Sequence, residues 1–381
     1  MRNLFTSLSI AAFLILVIAC VEPFDQAFSI SKKIIFVDAT INDLVQTQSL
    51  TIKETIPSAN GSYFTGVSKA KVTILVDEKE SIKLNEKSSG VYNLPDNFKA
   101  IEGKSYKLHF TTAEGTEYES TAEKLINTPQ IDKVYQKLET SGIETAAGYN
   151  PAHYIYIDTK DPADTQNYYL WSWSLWEKQG YCASCEGGKF YTSPEPIGKC
   201  VEDARLKRAG VTYDYGCDTK CWEILYNKEL NVMSDALSNG QSITGRLVAK
   251  VPYYQYDNAL IEIKQQSVSP NAYRYLKLLI DQSQNTGSLA DTPPAALVGN
   301  IKCLTNKDES VGGYFMVSSI KTIRHWINRD DINALRLKPL GLLSGRTANP
   351  EPMGSDTTRP PLAHCLESKS RTAKKPIGWI D

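Results

Sequence analysis

The chain carries no excess of charge of either sign: 42 lysines and arginines face 43 aspartates and glutamates. That balance excludes the basic stripe a nucleic-acid binder needs, and it leaves no polybasic patch for anionic lipid. After residue 20 no apolar run is long enough to cross a bilayer as a helix. Histidine is scarce, and His109, His153, His325 and His364 form neither H-E-x-x-H nor any close pair. G-x-S-x-G is missing. Gly103-Lys104-Ser105 ends like a P-loop, but Phe98 stands where its first glycine belongs, so it reads as a turn. No internal repeat is visible. These gaps leave no catalytic residue, no metal site and no cofactor motif to nominate.

The start of the chain is far more informative. Met1-Arg2-Asn3 is followed by an apolar segment that ends Leu14-Ile15-Leu16-Val17-Ile18-Ala19-Cys20. A signal-peptide core runs roughly 7–15 apolar residues, whereas a spanning helix needs about 20. A small residue followed by cysteine at this point is the bacterial lipobox, read by enzymes that lipidate the cysteine and cleave before it. The competing reading is an ordinary secretory signal with a chance cysteine. On the lipobox reading the mature chain begins at Cys20 and is held at a membrane by two or more acyl chains, enough for stable anchoring.

The rest of the sequence reads as mainly β with minor α. Tyrosine, tryptophan and phenylalanine are plentiful, at 21, 6 and 10 residues, as strands favour. Residues 1–19 form the leader and 20–33 a lipid-anchored tether. Short alternating runs then follow one another: Ile34-Ile35-Phe36-Val37, Ser49-Leu50-Thr51-Ile52, 70–76, Gly90-Val91-Tyr92, 106–110 and Glu117-Tyr118-Glu119-Ser120. In the fifth run Tyr106, Leu108 and Phe110 share one face, the period of a half-buried strand. Such spacing predicts a β-sandwich of immunoglobulin or transthyretin type over 34–125. A larger β-rich domain with one or two helices follows over 126–381. Its strands include 154–157, a long aromatic strand at 168–176, 247–251 and 259–263. A helix begins at Ser269 as N-cap with Pro270 behind it, carries Ala272, Leu276, Leu279 and Ile280 on one side, and stops at Gly287. The tail from Ala348 is expected to pack back through Trp379.

Residues 177–221 stand out as a cysteine-rich insertion. Cys182, Cys185, Cys200, Cys217 and Cys221 follow the spacing C-x2-C-x14-C-x16-C-x3-C, with Cys303 and Cys365 further on. In an exported protein disulfides are the default. Two close pairs could instead supply thiolates to zinc. A redox role for Cys182 and Cys185 wants a helix start, and the glycines at 180, 187 and 188 place that pair in a loop. Seven cysteines besides Cys20 cannot all pair with one another. Asp158, Asp161 and Asp164 resemble loop ligands for calcium, but without a loop glycine or distal glutamate turn capping explains them better. Trp171, Trp173, Trp176, Tyr181, Tyr253 and Tyr254, with Tyr256, are the residues placed to stack on a planar ligand or touch a partner. Core packing is the plainer reading of such aromatics.

Several strings together resemble one family, the exported Bacteroidetes-type lipoproteins grouped as domain-of-unknown-function 4249. They are Cys20 with Glu22-Pro23-Phe24-Asp25, Asp161-Pro162 with Asn167-Tyr168-Tyr169, Cys221-Trp222, and Gln265-Gln266-Ser267-Val268-Ser269 with Ala272-Tyr273. Gly287-Ser288-Leu289, Pro293-Pro294-Ala295, Gly299-Asn300-Ile301, Gly313-Tyr314-Phe315 and Cys365 with Lys375-Pro376 and Trp379 continue the series. The family pattern leads one to expect a second cysteine where Ser368 stands, which leaves Cys365 to pair with Cys303 or with the 182–221 group. The resemblance implies an outer-membrane lipoprotein that works beside a TonB-dependent transporter as a non-enzymatic ligand-capture or assembly subunit. Glu22 and Asp25 fit the acidic tag of surface lipoproteins. A free-standing adhesion or envelope-structural lipoprotein is the alternative, and an enzyme with an unread site the third.

Overall fold

The computed structural model describes residues 33–58, 61–145, 148–163, 165–195, 197–253, 255–284, 297–331, 341–343, 345–354 and 359–381. Cys20, the leader, the tether up to residue 32, Asp164, Tyr254, Gly287 and Pro293-Pro294-Ala295 lie outside the described residues. Strand accounts for 55% of the described residues and helix for 7%, so the protein is mainly β, as its alternating runs imply.

The chain begins with β1 (Ile35–Asn42), β2 (Ser49–Ser58), β3 (Gly61–Gly66), β4 (Lys71–Val76), β5 (Glu80–Lys83), β6 (Asn85–Ser88), β7 (Val91–Asn93), β8 (Ser105–Thr111), β9 (Glu117–Ser120) and β10 (Glu123–Lys124). Longer strands follow: β11 (Ile131–Thr145), β12 (Gly148–Lys160) and β13 (Tyr168–Glu186), then short β14 (Gly188–Tyr191) and β15 (Lys199–Glu202). After helix α1 (Ala204–Arg208) come β16 (Thr212–Tyr226), β17 (Asn231–Ser234), β18 (Ser242–Pro252) and β19 (Ala259–Ser267). Helix α2 (Pro270–Ser283), β20 (Ile301–Cys303), β21 (Val311–Ile327) and β22 (Arg371–Thr372) complete the order.

One 11-stranded sheet runs the length of the molecule in the order β22-β16-β13-β19-β21-β1-β2-β7-β6, with β17 added to β13 and β3 to β2. A six-stranded sheet, β20-β9-β8-β4-β5 with β10, packs on one end, and a three-stranded sheet, β11-β12-β18, on the other. The first interface buries Ile35, Val37, Ile52, Ile74, Tyr106, Leu108 and Phe110. The second buries Ile155, Ile157, Tyr169, Trp171, Leu175, Val251, Ile261 and Ile263. The period-2 alternation read in β8 is therefore its core face.

The sandwich assigned to 34–125 takes in residues from far along the chain. Ile301, Cys303, Val311, Phe315 and Val317 belong to its core, β20 pairs with β9, and β21 runs parallel to β1. Gly313 makes that last pairing possible. It adopts φ +89°, and a Cβ there would sit 1.9 Å from the Val37 carbonyl oxygen. Further along, β21 enters the second core with Ile323 and Ile327. Between the two cores Ser319 donates to Asp43 at 2.7 Å, and Thr128 donates to the Ser319 carbonyl at 2.7 Å. These bonds satisfy polar groups that would otherwise be buried without partners.

Helix α2 starts as its sequence predicts. Ser269 Oγ accepts the Ala272 N–H at 3.1 Å, Pro270 opens the first turn, and Ala272 and Leu276 pack on Leu170 and Val268. The cysteine-rich segment differs from the expectation of a loop insertion. Cys182 and Cys185 lie within β13, which continues past the sheet core to Glu186 and stays paired with β16 from Ser174↔Tyr226 to Glu186↔Thr212. Gly180 marks irregular register within the strand, and Gly187, at φ +62°, forms the break between β13 and β14. Register shifts fall on either side of Tyr181.

Candidate functional site

Alternation along β13 turns Tyr169, Trp171, Trp173 and Leu175 toward the sheet β11-β12-β18. Trp171 is fixed there by its indole N–H, which donates to Gln265 Oε1 at 2.9 Å. The Trp173 main chain holds the turn after β16: its N–H donates to Asn227 Oδ1 at 3.0 Å, and the Asn227 N–H donates to the Trp173 carbonyl at 3.2 Å. Asn231 ties the far end of that turn to β18 through the Leu247 carbonyl at 2.9 Å.

These restraints leave an open cleft of about 600 Å³ between the two sheets, within the range of roughly 300–1,000 Å³ typical of small-molecule sites. Trp171 and Trp173 line it together with Gly142–Glu144, residues 225–231, Leu247–Lys250 and Pro252. Trp171 is 1% exposed and forms the floor, whereas Trp173 is only partly buried and packs against the same core. Tyr226 and Leu230 stand exposed at the mouth. Lys228 and Lys250 on the wall are matched by Glu144 and Glu229. Outside the residues that line the cleft, the Arg246 guanidinium lies over the Trp171 ring, 4.8 Å from its centroid, and donates to Asn231 Oδ1 and to the Val232 carbonyl. Burial pulls its pKa below the ordinary arginine value.

The other aromatic candidates sit elsewhere. Trp176 faces the opposite side of the sheet beside Trp222, Leu260, Trp326 and Trp379. Trp379, as expected of the tail, packs edge-on to Trp326 at 5.0 Å and to Trp222 at 5.6 Å. Tyr181 is in the disulfide lobe opposite Gly216. Tyr253 is 1% exposed, 6.2 Å from the His153 ring and beneath Arg329. Arg329 in turn is buried in a bidentate pair with Glu177, at 2.9 and 2.6 Å. Of the six residues singled out by sequence, Trp171 and Trp173 alone line the cleft among the described residues. Arg246, Asn227 and Asn231 were not among the sequence candidates, because nothing local brings residue 246 over residue 171.

Six cysteines pair, as Cys182–Cys217, Cys185–Cys200 and Cys221–Cys365. Cys303, counted among the disulfide candidates, is a free buried thiol inside the N-terminal sandwich. The sulfurs of Cys182, Cys217 and Cys221 come within 4.8 Å of one another. All three are in disulfides, so no thiolate remains there for zinc. His153 meets Asp331 at 3.0 Å and His364 meets Asp218 at 3.0 Å. Burial and the nearby His153 lower the pKa of His325. Asp158 caps a turn by accepting the Gly245 N–H at 2.8 Å. Asp161 accepts from the Gly240 N–H at 3.1 Å and from the Tyr169 hydroxyl.

Fold and site together define a disulfide-braced β protein built on one long shared sheet, with an aromatic cleft between its second pair of layers. A family model matches residues 21–324, and the chain belongs to that family, described as a domain of unknown function (DUF4249). No curated protein and no solved structure matches the chain.

Proposed function

We propose that this chain is an exported lipoprotein, anchored at the outer membrane through Cys20, that serves as a non-enzymatic ligand-capture or assembly subunit beside a TonB-dependent transporter. The observation that carries the capture role is the open cleft on Trp171 and Trp173, an aromatic site of small-molecule size. Three disulfides support the exported location, because such bonds persist in oxidising compartments. The lipobox at Cys20 supports the anchor.

The test is a mild-crosslinking, detergent pull-down of the tagged protein from native membranes, with mass spectrometry of what accompanies it. A stoichiometric TonB-dependent barrel is the expected result. Recovery of the lipoprotein alone would replace this reading with a free-standing surface adhesion or structural lipoprotein. Cys20→Ala is expected to move the protein from the membrane to the soluble fraction, and its retention in membranes would remove the anchor from the proposal.

A further inference from the structure

Successive side chains on a strand point to opposite faces, so a strand packed on one face covers every second residue. In β3 three in a row are uncovered: Ser62, Tyr63 and Phe64 are all exposed, Tyr63 at 55% and Phe64 at 58%. The outer half of the β2–β3 hairpin therefore stands clear of the packed layers. Phe36 on β1, 38% exposed, meets Phe64 edge-on with ring centroids 5.9 Å apart. The other aromatic residues of 33–125, Tyr92, Phe98, Tyr106, Phe110 and Tyr118, are buried. The chain enters the fold beside this hairpin. Ile34 donates its N–H to Thr55 Oγ1 at 2.9 Å, and Thr55 lies opposite Phe64 in the β2–β3 register. Entry point and ring are thus two strand spacings apart, roughly 10 Å. Because β2 runs antiparallel to β1, the end of β2 and the start of β3 lie where β1 begins. Lys33 follows Cys20 by 13 residues, a span of at most about 45 Å.

We propose that Phe36, Tyr63 and Phe64 form a membrane-docking surface, which seats the β2–β3 hairpin in the interfacial layer of the bilayer that holds the Cys20 lipid. This inference rests on the lipid-anchor reading, and it is independent of the cleft and of the transporter. A tether limits distance but leaves orientation free, and a second contact fixes it. The tether makes that second contact intramolecular, so rings too weak to hold the protein alone suffice. Aromatic rings suit the interface, where a tyrosine hydroxyl sits at headgroup level above its apolar ring. The backbone sets the depth. Among the described strands β3 pairs with β2 alone, which leaves a row of peptide groups that must stay hydrated. The hairpin therefore rests at the headgroup boundary and stops short of the hydrocarbon core.

The experiment couples the purified chain that begins at Cys20, through that thiol, to a maleimide-headgroup lipid in phosphatidylcholine vesicles. The other free thiol, Cys303, is buried. Phe64→Trp supplies a reporter, and its emission above wild type is compared in plain vesicles and in vesicles brominated near the headgroup end of the acyl chains. Rings seated ~5–10 Å into the boundary should lose about half of that added emission to the bromines. Replacing Phe36 and Tyr63 by serine in the reporter protein should restore it. The six tryptophans of the wild type, all beyond residue 170, should keep their emission. An added emission that bromine leaves unchanged would overturn the proposal and leave the rings to a protein partner. Quenching of the wild-type tryptophans instead would place another part of the molecule on the bilayer and overturn it equally. Tyr63→Trp is the second reporter should Phe64→Trp fail to fold. Because chemical coupling replaces cellular lipidation, these outcomes stand apart from the Cys20→Ala fractionation that tests the anchor itself.

Discussion

Glu123 shows how a single carboxyl can be tuned by the joint it occupies. It is 1% exposed, where β10, β21 and the start of α2 converge. Its Oε1 accepts the Tyr314 hydroxyl at 2.7 Å and the Asn300 amide at 3.2 Å. Burial raises its pKa above the ordinary 4.5, and the hydrogen bonds from Ser269, Tyr314 and Asn300 only partly oppose that. A carboxyl whose pKa is higher in the folded than in the unfolded chain contributes stability that is complete below the unfolded value and is lost as pH rises through the folded one. Glu123→Gln, which mimics the protonated form, should therefore gain stability relative to wild type as the medium goes from acidic to neutral. Urea midpoints of both proteins across that range check it, and a parallel pH course would exclude Glu123 as the source. Arg246 poses the converse case, a cation that meets no carboxylate among the described residues and rests on neutral oxygens and the Trp171 ring.

Among the elements, the lobe made by the extended ends of β13 and β16 depends most on covalent bracing. Its small core of Phe190, Tyr215 and Ala363 is shared with Cys182, Cys185, Cys221 and Cys365. The Cys221–Cys365 bond bridges a sequence separation of 144 and ties the C-terminal tail to β16. Beside it Glu351 receives Arg359, Tyr215 and Lys189. Burial alone would raise the Glu351 pKa, but those hydrogen bonds outweigh it and hold the group at about 2. Replacing Cys221 and Cys365 together by serine should cost about 2–5 kcal/mol, as loss of a native disulfide does in small secreted domains. It should also expose the segment around Trp379 to limited proteolysis. An unchanged urea midpoint and an uncut tail would show that the noncovalent contacts suffice.

At the scale of the whole molecule, the two sandwiches are not consecutive beads. β21 serves both cores, and β1 has β21 as one of its two neighbours. Residues 34–125 expressed alone lack Ile301, Cys303, Val311, Phe315 and Val317 from their core, along with the strand that covers the β1 edge. They are expected to show no cooperative thermal transition by circular dichroism. A sharp transition in that fragment would mean the first sandwich is self-sufficient. The 34–125 boundary follows local alternation, which is blind to strands returning from beyond residue 300.

What the sequence determined by itself was local. The alternation of Tyr106, Leu108 and Phe110 defines a core face because side chains point to opposite sides along a strand. Ser269-Pro270 starts a helix because both residues suit its first turn. An odd number of cysteines beyond Cys20 required an unpaired one. Tertiary structure decided which one, burying Cys303 within the sandwich and drawing Cys365 to Cys221. It also decided where Cys182 and Cys185 lie, since only pairing with β16 keeps that glycine-flanked stretch extended. It made β21 a strand despite its opening glycines, because Gly313 is what allows the close approach to Val37. The cleft too is a product of assembly. Trp171, Asn231 and Arg246 meet because β13, β17 and β18 are brought together by hydrogen bonding and packing between distant segments, which no spacing along the chain records.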